Sequence, residues 1–199
     1  MKKNKFARQT KRLALRPLKL SDYKIWKNSY LKSGSLQNRW DGSKKADDQL
    51  EMQSFKKLLK YQSDQRKTEN FCDYAIFDKK TGEYIGMLCL MNFVRSVTQS
   101  AFVGYSLFNQ YWGLGYANEA LLALIDIAFN DHKLHRIVAG IEPQNKKSIQ
   151  LVKKIGFRKE GVSKKIVLLR DQWQDLVQYA LTCEDVGIQW QGSIQRRFR

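Results

Sequence analysis

Apolar residues along the chain follow two spacings, alternation at every second residue and recurrence every three to four residues, which predict strands and helices respectively. Strands are predicted at 12–18, 71–78, 84–92, 100–108 and 135–142, with a hairpin in 164–181 that turns near residues 170–173. Helices are predicted after Ser21 and Asp22, from Leu50 onward, after residue 115, and over 145–157. A meander of strands followed by alternating strands and helices predicts one mixed α/β sheet.

The best-defined predicted helix begins directly after two glycines in the stretch WGLGY. Its apolar residues recur at helical spacing, so one face should pack on the sheet; they are Ala117, Leu121, Leu124, Ile125 and Ala128. Glycine permits backbone shapes closed to other residues, and a helix N-terminus offers free N–H groups and about half a positive charge. A strand, a glycine turn and a helix in this order predict an anion site, most naturally for phosphate.

The local motif does not identify which phosphate is bound. GLGYAN lacks the third glycine of the dinucleotide-binding pattern, and no acidic residue follows about 20 residues later at the end of a second strand. The chain also lacks the GK[ST] signature of nucleotide P-loops. Taken alone, the two glycines are equally typical of a plain tight turn.

Composition adds a large positive net charge. The 199 residues carry a formal charge of +17 with 43% hydrophobic residues, which indicates a globular and very basic protein. Basic residues crowd both ends: Lys2, Lys3, Lys5, Arg8, Lys11, Arg12, Arg196, Arg197 and Arg199. We expect a basic extension at 1–11, one domain at 12–184 and a basic tail at 185–199. The charge fits either solubility or attraction to RNA, although no RNA-binding module signature is present.

Cysteines and histidines argue against metal or disulfide chemistry. Cys72, Cys89 and Cys183 are odd in number and widely spaced, which is typical of reduced, buried thiols in a cytoplasmic protein. His132 and His135 are the only histidines, so no metal site is predicted. Neither a membrane-spanning apolar run nor a secretory signal is predicted.

Three stretches together resemble one enzyme superfamily: GYSLFNQYWGLGYANEAL, HRIVAGIEPQNKKSIQLVKKIGFRKEG and DQWQDLVQYAL. They resemble the GNAT N-acetyltransferases, and more narrowly the RimJ/RimL-type N-terminal acetyltransferases of ribosomal proteins. The resemblance runs from about Arg12 to Thr182. It implies a single α/β domain with a mixed, mostly antiparallel sheet of six to seven strands, a central splay and about four flanking helices.

The resemblance also implies acetyl-CoA as the cofactor and assigns residues to it. Tyr105, Ser106 and Leu107 would bind the pantetheine arm through their backbone, and Asn145 and Ser148 would contact the cofactor from the following helix. The diphosphate turn would comprise Trp112, Gly113, Leu114, Gly115, Tyr116, Ala117 and Asn118. Trp112 departs from the family pattern, because Gln or Arg is usual at that position.

Catalysis in this family is a direct attack of an amine on the thioester, with an N–H near Leu107 stabilising the oxyanion. Val152 stands where many members carry a tyrosine acid, so Ser148 is the candidate acid, unless it is simply a first-turn helix residue. Glu160 is the candidate base, unless it is a solvated surface acid. Trp173 would wall the acceptor cleft, or it would only pack the hairpin turn.

Three functions remain open at this stage. The first is acetylation of a protein N-terminus, with ribosomal proteins as one acceptor class. An α-amino group has a pKa of about 7.7–8.0, so part of it is already neutral at pH 7 and a weak base suffices to deprotonate the rest. The second is acetylation of a small amine, such as a polyamine or aminoglycoside, in an acidic pocket built from Glu51, Glu69, Asp73 and Asp175. The third is a non-catalytic module that binds acyl-CoA and RNA or ribosomes. The sequence does not decide between monomer and dimer.

Overall fold

The computed structural model describes residues 6–42 and 44–192, which form a single mixed sheet flanked by helices. The strands are β1 Arg8–Gln9, β2 Leu13–Arg16, β3 Phe71–Asp78, β4 Tyr84–Val94, β5 Ser100–Leu107, β6 Arg136–Ile141, β7 Arg158–Leu169 and β8 Gln172–Thr182. The helices are α1 Tyr23–Lys32, α2 Met52–Lys67, α3 Tyr116–Asp126 and α4 Lys146–Ile155. The spatial strand order is β1-β2-β3-β4-β5-β6-β8-β7. None of the described helices combines the length and apolar character needed to cross a bilayer.

The sheet confirms the predicted α/β class and exceeds the predicted strand number by one. All seven predicted strands form, and the eighth is the two-residue β1. It lies within the predicted N-terminal extension and pairs antiparallel with β2, with Arg8 opposite Leu15. Arg8 also pairs with Asp131 at 2.6 Å, so this end of the chain is fixed to the domain.

The predicted C-terminal tail is likewise part of the packed domain as far as residue 192. Ile188 and Trp190 pack against the core, and the Trp190 indole N–H donates to the Lys133 carbonyl at 3.0 Å. The domain boundaries predicted at residues 12 and 184 therefore exclude chain that packs on the sheet. The basic residues at 2, 3, 5, 196, 197 and 199 lie outside the described residues.

Two apolar layers cover the two faces of the sheet. Tyr74 and Ile76 face the larger core with α3 and α4, whereas the alternate residues Ala75 and Phe77 face an aromatic cluster against α1 and α2. Helix α3 buries the predicted face, with Leu121 and Leu124 fully buried. The three cysteines are buried free thiols, as predicted.

The central strands separate, which confirms the predicted splay. Every neighbouring strand pair in the sheet is antiparallel except β5 and β6, whose parallel pairing covers only Ser100–Phe102 against Arg136–Val138. Beyond Phe102 and Val138 the two strands run apart. Because α3 connects them, its N-terminus faces the opening that they leave.

Candidate active site

The opening between β5 and β6 is a cleft of about 970 Å³. One wall is Val103 to Leu107 of β5, and the other is Ala139 to Glu142 at the end of β6. Helix α4 borders the cleft with Ser148 and Lys147, and the glycine turn before α3 closes one end. A V-shaped slot of this kind exposes backbone groups of both strands that no neighbouring strand pairs.

The glycine turn leaves the N-terminus of α3 open. Gly113 and Gly115 have φ values of 76° and 78°, a left-handed conformation that is costly for other residues. Gly115 is the N-cap of α3, and no side chain caps the helix there. The free N–H groups and the helix dipole therefore face the cleft, where an anion would be stabilised.

The cofactor residues predicted around this turn are brought together, with one exception. The cleft is lined by Tyr105, Ser106, Leu107, Trp112, Gly113, Gly115, Tyr116, Ala117, Asn118, Asn145 and Ser148. Leu114 is 54% exposed and is outside the lining residues, and its carbonyl accepts a hydrogen bond from Arg12 at 2.9 Å. These placements support the predicted set without Leu114.

The side-chain hydrogen-bond donor of Trp112 is engaged within the protein. The indole N–H donates to the Leu107 carbonyl at 2.9 Å, which fixes the ring across the end of β5. The ammonium of Lys147 lies 5.0 Å from the ring centroid. A cation therefore lies over the face of the Trp112 ring.

Helix α4 begins at the cleft with a side-chain cap. The Asn145 side chain accepts from the Ser148 backbone N–H at 3.2 Å, the usual role of asparagine at an N-cap. Ser148 lines the cleft opposite Tyr105, whose hydroxyl donates to the Ser148 carbonyl at 3.4 Å. Burial raises the pKa of Tyr105, so the phenol stays protonated. Val152 is fully buried in the core.

On the β6 side, the cleft is organised by Glu142, which follows the strand. One carboxylate oxygen accepts from the Trp40 indole at 2.7 Å and from Arg170 at 2.8 Å. The other lies 2.7 Å from Arg170 and 2.9 Å from Arg39. This single side chain ties the segment 38–42 and the tip of the β7–β8 hairpin to the sheet.

The segment before Trp40 is also fixed from the other side of the cleft. Asn109, in the turn after β5, donates to the Ser35 carbonyl and to the Asp41 carboxylate, both at 2.9 Å. Asp41 accepts from the Gln37 backbone as well. Residues 35–42 therefore cross the cleft as a strap from the β5 side to the β6 side.

The charge state of Glu142 follows from these contacts. Burial opposes ionisation, but hydrogen bonds from Arg170 and Trp40 and the charges of Arg170 and Arg39 outweigh it and lower the pKa of the carboxyl. Glu142 is therefore a carboxylate whose oxygens are already occupied. It is suited to holding the acceptor end in place and poorly suited to removing a proton.

Replacing Glu142 with glutamine is expected to destabilise the protein by about 1–2 kcal/mol at neutral pH, because the charge-assisted bonds to both arginines weaken. A lowered pKa stabilises the fold above the ordinary value of 4.5 and loses that contribution as the pH falls. The difference between wild type and variant should therefore shrink below about pH 4.5. Urea unfolding at neutral and acidic pH measures it. Glu51→Gln, at an exposed position, is the control, and a difference that is independent of pH would contradict the expectation.

The structure does not bring Glu160 to the cleft. Glu160 pairs with both terminal nitrogens of Arg136, and the hydrogen bond from Arg136 lowers the pKa of its carboxyl. Arg136 begins β6 whereas Glu142 follows its end, a separation of roughly 20 Å at the rise of a strand. Glu160 therefore lies at the closed end of the β5–β6 pair and is not among the residues that line the cleft.

Trp173 is also outside the residues that line the cleft. It is 61% exposed and pairs with Leu168 across the hairpin. The hairpin instead contributes Val167, Leu169, Arg170 and Leu176 to the lining. The predicted hairpin wall is present, but its members differ from the predicted tryptophan.

Sequence reasoning does not find the Glu142 cluster. Arg39 and Trp40 lie in RWDG, part of a long polar stretch whose only signal is a large aromatic residue between polar ones. For Glu142 a signal exists, because an acid directly after a buried strand and three residues before a helix cap is placed to face the same edge as the cap. Lys147, beside the predicted Ser148, carries no signal that separates it from the neighbouring lysines.

Comparison with known proteins agrees with this geometry. Residues 12–158 match the acetyltransferase (GNAT) domain family. A probable N-acetyltransferase, YjcK, of Bacillus subtilis is 37% identical over 120 residues, which are 60% of this chain and 66% of that protein. The [ribosomal protein uS5]-alanine N-acetyltransferase of Escherichia coli is 38% identical over 112 residues, 56% of this chain and 58% of that protein. The matches thus span less than two thirds of both relatives.

A solved structure shares the fold. The ribosomal-protein-S5-alanine acetyltransferase of Vibrio fischeri superposes with a TM-score of 0.75 at 24% identity, covering 94% of this chain and 99% of that one. The splayed sheet and the glycine turn of this structure agree with the family match. The chain belongs to the acetyltransferase (GNAT) domain family.

Proposed function

We propose that the protein is an acetyl-CoA-dependent N-acetyltransferase that acts on the α-amino group of a protein N-terminus, with ribosomal proteins as the acceptor class. The observation that carries the proposal is the cleft between β5 and β6, which joins the open N-terminus of α3 to Ser148 and the Glu142 cluster. A diphosphate would bind at the glycine turn, and the pantetheine arm would lie along the unpaired edge of β5.

The proposed reaction is a direct transfer. The neutral amine attacks the thioester carbonyl, and the resulting oxyanion is stabilised by a backbone N–H near Leu107. The C–S bond would then break, and the thiolate would take a proton from Ser148, whose hydroxyl regains a proton from water; the protonated phenol of Tyr105 is its neighbour in the cleft. The proton lost by the amine passes to water.

The state of the cleft carboxylates favours an α-amino acceptor. Glu142 has its oxygens occupied, and Asp41 accepts from Asn109 and the Gln37 backbone. An α-amino group is about 10–20% neutral at pH 7, whereas a lysine-type amine is neutral to well under 0.1%. The acceptor that needs the weakest base is therefore the N-terminal amine.

The charges of the cleft argue against a polycationic acceptor. Its lining includes the cations Arg39, Lys147, Lys154 and Arg170 and the anions Asp41 and Glu142. The acids that could have built a polyamine pocket do not line it; they are Glu51, Glu69, Asp73 and Asp175. A polyamine or an aminoglycoside would meet a surplus of positive charge.

The net charge of the whole protein fits a ribosomal acceptor. Ribosomal RNA near the acceptor would attract a protein of charge +17.

An acceptor panel tests the proposal. Release of free coenzyme A from acetyl-CoA would be followed with peptides that have free or blocked N-termini, with lysine peptides, and with polyamines and aminoglycosides. We expect turnover with free N-termini and none with the blocked ones. Turnover confined to polyamines or aminoglycosides would contradict the acceptor class. Binding of coenzyme A without any turnover would point to the non-catalytic module.

A further inference from the structure

We infer that Lys147, held against the indole of Trp112, supplies the cation that binds the diphosphate of coenzyme A. The inference rests on the proposed function, because it names a residue for the cofactor proposed above. It explains how the turn would bind a diphosphate without the Gln or Arg that the family pattern has where this chain has Trp112. The anchor comes from α4 and not from the turn itself.

The first step is that Trp112 cannot bind the phosphate through a polar group. An indole has a single N–H donor, and that of Trp112 is directed to the Leu107 carbonyl at 2.9 Å. What the ring offers the cleft is its π-face. A π-face attracts cations and not anions, so Trp112 is suited to hold an ammonium group.

The second step is that a cation is present at that face. The Lys147 ammonium lies 5.0 Å from the centroid of the Trp112 ring, within the usual range of a cation–π contact. Lys147 also lines the cleft together with Gly113 and Gly115. The neighbouring Lys146 does not line the cleft.

The third step concerns charge. The N-terminus of α3 carries about half a positive charge and has no capping side chain. An ammonium group at the same end of the cleft adds to this positive potential, which is unfavourable unless an anion binds between them. The contact with Trp112 offsets part of the cost and keeps the ammonium in place before the anion arrives.

Lys154 is a second cation on this face of α4, but it is poorly placed for the diphosphate. It follows Lys147 by seven residues, two helical turns and roughly 10 Å along the axis. It also lines the cleft, but no contact with the Trp112 ring is seen for it among the described residues. The contact with Trp112 singles out Lys147.

The test measures affinity by calorimetry at low salt for coenzyme A and for 3′-dephospho-coenzyme A, which keeps the diphosphate. Lys147→Gln retains most of the aliphatic stem and removes the charge, and Lys146→Gln is its matched control. We expect Lys147→Gln to weaken both ligands about ten-fold, with a smaller salt dependence, and Lys146→Gln to change neither more than two-fold. A loss seen only with coenzyme A would place Lys147 at the 3′-phosphate and overturn the assignment, as would unchanged binding.

The role of Trp112 is tested by combining its substitution with that of Lys147. Trp112→Leu should weaken both ligands, and combining it with Lys147→Gln should add little, because the ring acts through the ammonium. Trp112→Phe keeps a π-face, so its affinity for both ligands should lie between those of Trp112→Leu and of the wild type. It replaces Trp112→Leu in the test if the leucine variant alters folding. Additive losses would show that Trp112 acts by packing alone and would overturn the pairing. A wild type that binds no coenzyme A would instead reject the proposed function.

Discussion

Replacing Ser148 with alanine is expected to lower kcat by about 100-fold, in the range that positioned acids contribute, while changing the affinity for coenzyme A less than three-fold. The thiolate would then leave without the hydroxyl that is proposed to protonate it. The fold should tolerate the change, because alanine favours helices and the Asn145 cap bonds the backbone N–H of residue 148, not its hydroxyl. Steady-state kinetics with acetyl-CoA and an N-terminal peptide, together with calorimetry, separate the two effects.

Ser54→Ala is the matched control, since Ser54 lies in the first turn of α2 and bonds only the Asp48 carbonyl locally. It should leave kcat unchanged. If Ser148 is only a first-turn helix residue, its variant will behave like the control. An unchanged kcat in Ser148→Ala would assign thiolate protonation to Tyr105 or to water, and Tyr105→Phe would then be the variant that loses activity.

Replacing Gly86 with alanine is expected to lower the melting temperature by about 10 °C and to weaken coenzyme A binding at least ten-fold. A Cβ at Gly86 would lie 2.2 Å from the Ser106 carbonyl oxygen and 2.8 Å from the Leu107 Cα, both backbone atoms that cannot rotate away. The φ of 154° adds to the strain. Overpacking costs about 3 kcal/mol, and for a chain of this size each kcal/mol shifts the midpoint by about 2–4 °C.

The binding loss follows because β5 is the wall along which the pantetheine arm is proposed to lie. Pushing Ser106 and Leu107 away from β4 moves them into the cleft. Gly104→Ala is a graded comparison, since its Cβ would meet only the Met91 methyl and the Cys89 sulfur. Gly34→Ala, with nothing within 4 Å, should be neutral. A Gly86→Ala protein with a lowered melting temperature but wild-type affinity for coenzyme A would contradict the proposed path of the cofactor, and unchanged melting would contradict the expected displacement of β5.

The local geometry of the glycine turn and of the α4 cap could be predicted because the residues of each are neighbours in the chain. The glycine turn, the first turn of α3 and the Asn145 cap each form from a short stretch whose residue types dictate the local geometry. The predicted strands form at the expected places for the same reason. The apolar face of α3 and the three buried thiols also follow from local pattern alone.

The acceptor end could not be predicted, because it forms only by contacts between distant segments. Trp40 and Glu142 are 102 positions apart, and Arg170 lies 28 positions beyond Glu142. No local pattern marks such partners. The surroundings of Glu160 could not be predicted for a related reason: the resemblance assigns it a role from its place in the chain, whereas its contact with Arg136 depends on the strand register.

The strap of residues 35–42 has a consequence for engineering the proposed enzyme. The glycine turn and the start of α4 each form from short stretches of chain, whereas the Glu142 cluster is a contact between a loop, a strand end and a hairpin tip. On the proposed function, substitutions in the loop or the tip are therefore expected to change which amine is accepted while the residues proposed to bind coenzyme A stay in place.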